Sequence, residues 1–298
     1  RIDVLVATGT HHPLGEQELQ KLLPDEAFAP PVHVRNHVAT DNESLRYLGR
    51  TARGTEAWLD SRYFDADIKV LTGLVEPHFM AGVSGGRKSI CPGLAGQTLT
   101  HTFHGPELMG DPKSDSLIVD GNPCHEESLA VARMAGTDFI VNVTLNRHDQ
   151  LTGIFCGDLE AAHQAAVQYV LDTQGIRLAK LYDIVITQAG FAGINHYQAA
   201  KAAVEASKAT RPGGRIVMAA THTDEDPVGS ENYKQMLRML ADRGAAGFDA
   251  RIREPQWTFV PDQWQVQMWC KVLRRIQDPV HLIYCSPELT GDTFTACA

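Results

Sequence analysis

The feature that most limits the fold is an alternation that persists along the chain. Short runs rich in β-branched residues occur at 4–7, 32–35, 68–75, 139–145, 181–187, 214–219 and 280–285. Stretches with helical periodicity lie between them at 14–23, 123–135, 159–172, 196–209, 230–243 and 262–276. This alternation predicts an α/β chain in which helices cover largely parallel sheets. A break falls at 174–180, where a helix runs out at Gln174-Gly175 and a new strand begins. We therefore expect two α/β domains, 1–175 and 180–298, with an active-site cleft between them. The chain enters its first strand just after Arg1 and closes on ACA soon after VHLIYCS, so it reads as a piece trimmed at both ends.

Charge and cysteine usage exclude several classes. Lys plus Arg number 27 against 36 Asp plus Glu, a net charge of −9, which argues against a general nucleic-acid binder. No apolar run approaches the roughly 18 residues of a membrane helix, and no signal-peptide pattern is present. Cys91, Cys124, Cys156, Cys270, Cys285 and Cys297 are dispersed, with no C-x-x-C pair. That spacing suits reduced thiols and a cytoplasmic setting rather than a disulfide framework or a cysteine zinc site.

Five segments carry chemistry-bearing residues. GTHHP (9–13) follows the first strand, and ligands of open α/β sheets bind at the carboxyl ends of strands. His11 would then stand at a cleft rim, although the same residues make an ordinary polar turn. EPHFMAGVSGGRKSICPG (76–93) follows another strand, placing His78 on the same rim. Its Ser84, Gly85 and Gly86 can turn successive backbone N–H groups toward an anion, with Arg87 and Lys88 adding charge; a loop that only reverses the chain is the alternative. The spacing approaches a Walker A loop, but Arg87 stands where that loop has its last glycine and would crowd a phosphate. THTFHGPE (100–107) sets His101 and His104 three apart, on one face if helical, as a metal-binding pair would be. A zinc hydrolase built on them lacks an obvious carboxylate ligand. In NHYQAAKA (195–202), Gln198 and Lys201 share a face near a helix N-terminus, suited to a carboxylate or simply to solvent. Trp264 and Gln265, in PDQWQVQMW (261–269), either wall an apolar pocket or pack the second domain. His33, His37, His125, His148 and His222 are read as solvated or structural.

Taken in order, GTHHP, EPHFMAGVSGGRKSICPG, HTFHGPE, NHYQAAKA and DQWQ resemble the lactate racemase family, enzymes dependent on a nickel-pincer nucleotide. The resemblance extends over nearly the whole chain, and its specific part is the segment spanning His78, Lys88 and His104. It implies an isomerase that racemises or epimerises a small 2-hydroxy acid, lactate first among them, by reversible hydride transfer. The implied cofactor is pyridinium-3,5-bisthiocarboxylic acid mononucleotide nickel, attached covalently at Lys88 in the first domain. The resemblance makes His104 the protein ligand to nickel and His11 and His78 the acid/base pair. It sets Ser84, Gly85, Gly86 and Arg87 beside the cofactor. Tyr197, Gln198, Lys201 and Trp264 take the substrate side. The implied partners are the hydroxy acid and the cofactor-synthesis proteins, with no nucleic acid or membrane. Two departures stand out: His12 occupies a position where the family commonly has arginine, and the family's upstream Asp-x-Thr-Arg-Pro segment is not in this sequence. A non-catalytic relative that holds a nucleotide or phosphate ligand in the glycine loop is the alternative.

Overall fold

The computed structural model describes residues 1–289 and 291; Cys297 lies outside them. The chain divides into two compact units. Arg1–His104 with Asp111–Gly175 form the first, and Gly105–Gly110 with the chain from Ile176 onward form the second. The excursion at Gly105–Gly110 has no counterpart in the sequence pattern.

In the first unit, β1 (Ile2–Val6) is followed by α1 (Glu16–Leu22) and then β2 (Val32–Asn36). The two strands pair in parallel from Ile2↔Val32 to Val6↔Asn36. β3 (Leu45–Arg50) and β4 (Glu56–Asp60) form an antiparallel hairpin. β5 (Val70–Leu74) leads into a two-residue antiparallel pair, β6 (Pro77–His78) and β7 (Gly82–Val83). Next come α2 (Gln97–Phe103), then α3 (Pro106–Met109) in the second unit, and α4 (Pro123–Ala135). β8 (Phe139–Leu145) lies between β5, its parallel partner, and the antiparallel β9 (Leu151–Gly157), after which α5 (Ala161–Gln174) closes the unit.

Local chemistry sets these boundaries. Asn122 Oδ1 accepts from the Cys124 and His125 N–H groups, Pro123 takes the first helical position, and Gly136 ends α4 at φ 72°. Asp158 Oδ1 accepts from Glu160 and Ala161 N–H, which starts α5. β8 alternates buried Ile140, Asn142 and Thr144 with half-exposed neighbours, as a strand with one face on the core should. Val75, Val83, Ala166, Val167 and Val170 form a core cluster beside it.

A buried ionic group fastens β2, β4 and the segment after Lys88. His37 Nδ1 lies 3.0 Å from Asp60 Oδ2, and its Nε2 lies 2.9 Å from the Ala95 carbonyl. Arg62 grips Asp60 through Nε at 2.9 Å and Nη2 at 2.6 Å, and donates to the Asn36 carbonyl. Burial alone would raise the Asp60 carboxyl, but the bonds from Arg62 and His37 outweigh it and hold it well below the usual carboxylate range. A carboxyl depressed on folding contributes stability above its unfolded value, about 3.9, and loses it as pH falls through the folded value. Asp60→Asn is expected to cost about 3 kcal/mol near neutral pH, because it leaves buried His37 and half-buried Arg62 without their carboxylate. Melting curves from neutral to acid check this: the gap from wild type should narrow below about pH 3.9 and persist above it.

In the second unit, β10 (Tyr182–Gln188), α6 (His196–Ala209), β11 (Thr210–Ala219), α7 (Glu231–Ile252), α8 (Gln263–Ile276) and β12 (Leu282–Cys285) build a three-stranded sheet ordered β10–β11–β12, parallel throughout. Asn195 and Ser230 cap α6 and α7 with their side chains. Gly244, at φ 66°, interrupts α7 one residue after the end expected from periodicity, and a second helical stretch continues beyond it. α8 buries Val266, Trp269, Val272 and Ile276 at helical spacing. Two α/β domains with largely parallel sheets is thus the observed architecture, with antiparallel pairing at β3–β4, β6–β7 and β8–β9. Among the described residues, no helix is long and apolar enough to cross a membrane, and Cys91, Cys124, Cys156, Cys270 and Cys285 are all thiols.

Candidate active site

Three segments of the first unit converge on the turn that carries Lys88. The first is the β5–β7 region. His78 ends β6, and its Nδ1 accepts from the N–H groups of Ala81 at 3.2 Å and Met80 at 3.4 Å. The ring stacks on Phe79. Ser84 Oγ donates to the Leu74 carbonyl and accepts from Glu76 N–H, binding the loop to the end of β5. Gly86 N–H donates to Asn142 Oδ1 on β8. Ser84 N–H likewise goes to the Glu76 carbonyl, so two of the N–H groups expected to face an anion here bond to the protein. The glycines serve close packing: a Cβ on Gly85 would lie 2.6 Å from Val75, and one on Gly86 2.8 Å from the His163 ring.

Lys88 sits in the 3-10 turn Gly86–Ser89, with its N–H bonded to the Gly85 carbonyl. Its neighbour Arg87 points inward and is 1% exposed. The second segment is the loop after β1. Thr8 Oγ1 donates to the His37 carbonyl and Gly9 N–H to the Gly93 carbonyl, which docks GTHHP on the chain just beyond Lys88. His11 and His12 are exposed at its tip.

The third is the end of α2. His101 lies in the last turn, but His104 is the C-cap, with φ −93° and ψ 9°. His104 Nδ1 lies 3.0 Å from the Thr100 carbonyl and donates to it, leaving the lone pair on Nε2. Burial pushes its imidazole down to about 3, and the nearby Lys88, His11 and His101 add to that. A neutral, oriented imidazole is the form that binds a transition metal. Among the described residues no group of three or more His, Cys, Asp or Glu could hold a metal ion. The donor set of one neutral imidazole beside a lysine amine therefore fits a metal whose other ligands arrive on an organic group attached nearby. It does not fit a zinc centre built from His101 and His104.

In the second unit, Tyr197, Gln198 and Lys201 stand on the first turns of α6, where Asn195 Oδ1 accepts from Gln198 N–H. Trp264 Nε1 donates to Tyr197 Oη at 2.8 Å, and Gln265 Nε2 donates to the Tyr197 carbonyl at 2.6 Å. Burial, with Asp262 nearby, raises the Tyr197 phenol. The two aromatic residues expected beside the substrate are thus bonded to each other.

Sequence reasoning missed the polar groups that support these segments. Asn142 and His163 brace the glycine loop, and His196, Tyr233 and Trp269 form a buried hydrogen-bonded stack beneath Tyr197. Of the histidines read as solvated or structural, His37, His125 and His222 are buried, and His33 and His148 are exposed. A cavity of about 710 Å³ in the first unit is lined by Leu117, His125, Leu129, His163 and Val167 with Arg87; none of His11, His78, Lys88 and His104 lines it.

Known proteins match both units of the chain. Residues 1–116 match the lactate racemase N-terminal domain and residues 178–294 the lactate racemase C-terminal domain. The lactate racemase of Lactiplantibacillus plantarum is 31% identical over 296 residues, covering 99% of this chain and 68% of that protein. That of Thermoanaerobacterium thermosaccharolyticum is 29% identical over 279 residues, covering 91% of this chain and 63% of that protein. The structure of the lactate racemase apoprotein from the latter organism superposes with a TM-score of 0.87 at 25% identity, covering 99% of this chain and 69% of that one. The chain thus spans about two thirds of the length of these relatives. With both family domains matched and a relative aligned along almost its entire length, the chain belongs to the lactate racemase family, a family of isomerases.

Proposed function

We propose that this protein racemises a small 2-hydroxy acid, lactate first among them, using a nickel-pincer nucleotide tethered at Lys88. The observation that carries this reading is His104: a half-buried neutral imidazole with Nδ1 bonded to Thr100, in the neighbourhood of Lys88 and His11. When bound, the group supplies nickel and an electrophilic pyridinium carbon able to accept and return hydride. That chemistry suits the substrate, because the C2–H beside a carboxylate is too weakly acidic to be removed as a proton at ordinary cost.

The chain's own residues supply the remainder. Lys88 Nζ is the point of attachment, and His104 Nε2 is the nickel ligand. The Ser84-Gly85-Gly86 turn and Arg87 set the backbone beside the tether. His78 and His11 exchange the proton of the substrate hydroxyl, one for each enantiomer, since that hydroxyl points to opposite sides in the two. On the second unit, Gln198 and Lys201 are placed at a helix N-terminus to hold a carboxylate, with Tyr197 and Trp264 as its apolar border. Loading implies cofactor-synthesis proteins as partners, in a cytoplasmic setting.

His104→Ala tests the reading at its carrying observation. Protein co-expressed with the cofactor-synthesis enzymes should keep the covalent mass increment but lose most of its nickel on dialysis, as measured by mass spectrometry of the metal. Full nickel occupancy in that variant would remove His104 from its role.

A further inference from the structure

Arg87 presents an unusual situation for a guanidinium. It is buried, and among the described residues no carboxylate pairs with it. Its Nη2 donates to two backbone carbonyls, Ala81 at 2.8 Å and Val83 at 3.0 Å. Its Nη1 lies 3.1 Å from His163 Nε2, and that same nitrogen lies 2.9 Å from the Ser84 carbonyl. The His163 ring rests on Gly86, where a Cβ would come within 2.8 Å of it. Burial lowers both groups, Arg87 to about 9 and His163 to about 4, so at neutral pH a cation faces a neutral ring.

Burying a cation without a counter-charge is costly, and such an arrangement persists only where its surroundings hold it in place. What holds this one is the backbone on either side of the proposed site. The carbonyls of residues 81, 83 and 84 belong to the stretch that follows His78, whereas Arg87 immediately precedes Lys88. We infer that Arg87 and His163 are positioning residues that lock the His78 hairpin and the Lys88 turn into one piece, fixing the distance between the proton-exchanging group and the tether. The significance of that distance rests on the function proposed above; the lock itself is a property of the unloaded chain.

His163 contributes a testable asymmetry. One imidazole nitrogen can accept from Arg87 or donate to Ser84, but not both at once. A glutamine amide reaching the same place offers an oxygen for Arg87 and an N–H for Ser84. His163→Gln should therefore preserve the lock, and His163→Phe, which keeps the ring on Gly86 but can neither accept from Arg87 nor donate to Ser84, should loosen it even though the bonds of Arg87 to Ala81 and Val83 remain.

The first experiment is amide hydrogen exchange by mass spectrometry on the unloaded protein. In His163→Phe and Arg87→Met, exchange in peptides covering 76–90 should rise about tenfold or more, while that in β8 and α4 stays as in wild type. In loaded protein, kcat of His163→Phe should fall by about ten- to a hundredfold with KM within about twofold, the pattern of misplaced reacting groups, and His163→Gln should restore it. The inference is overturned if exchange in 76–90 is unchanged in His163→Phe, if exchange rises uniformly across the chain, or if His163→Gln is as impaired as His163→Phe. Should Arg87→Met not fold, the two His163 variants decide. The exchange measurement stands whether or not loaded wild type racemises a hydroxy acid, so failure of the lock and failure of the proposed function are told apart.

Discussion

Alanine at His78 or at His11 is expected to lower racemisation by about 10²–10⁴-fold, while covalent mass and nickel content remain those of wild type. The size follows from the proposed role, in which each ring would exchange a proton with the substrate hydroxyl and neither would hold the metal or the tether. Structural side effects differ between the two. His11 is exposed at a loop tip, so its removal leaves the fold untouched. His78 accepts two backbone N–H groups and stacks on Phe79, so a small loss of stability should accompany its larger loss of turnover. Chiral chromatography of the product, starting from each enantiomer, reads the effect. Unequal losses in the two directions would identify which ring serves which enantiomer. Nickel lost along with activity in either variant would mean that the ring supports the metal instead.

A larger effect is expected at Lys88. Lys88→Ala and Lys88→Arg should both fall to the uncatalysed background, because arginine keeps the charge but cannot form the same covalent link. The local fold should survive, since the turn Gly86–Ser89 is held by backbone bonds and by its neighbour Arg87. Unchanged melting temperature together with absent turnover is the expected signature. A non-catalytic relative would respond otherwise: its binding of a phosphate ligand should weaken with Lys88→Ala and survive Lys88→Arg, which keeps the charge.

Much of this could be read from the sequence wherever local chemistry decides the structure. Helices 123–135 and 196–209 were legible to the residue because Asn122-Pro123 and Asn195 announce their starts. β8 was equally clear, since β-branched residues fill its centre. The β3–β4 hairpin was not, because Arg46, Arg50 and Glu56 break its apolar pattern and its partners are found only in three dimensions. β9 hid behind its glycines and exposed residues.

The site shows the same division. His11, His78, Lys88 and His104 stand in recognisable segments, but what holds them there is distant in sequence. His163 is 76 residues from Arg87, and Asn142 is 56 from Gly86. A signal for His163 did exist: it lies among Ala162, Ala166 and Val167 on the buried face of α5, where a lone histidine needs a polar partner. The inward turn of Arg87 was not legible, since nothing in GGRKS tells a side chain facing a ligand from one bonded to its own loop.

The most direct measurement is the intact mass of wild-type protein co-expressed with the cofactor-synthesis enzymes, followed by peptide mapping. A single covalent increment on the peptide containing Lys88, with nickel bound in equal amount, is the expected result. Fully matured protein at its unmodified mass, with no nickel, would contradict the proposed function.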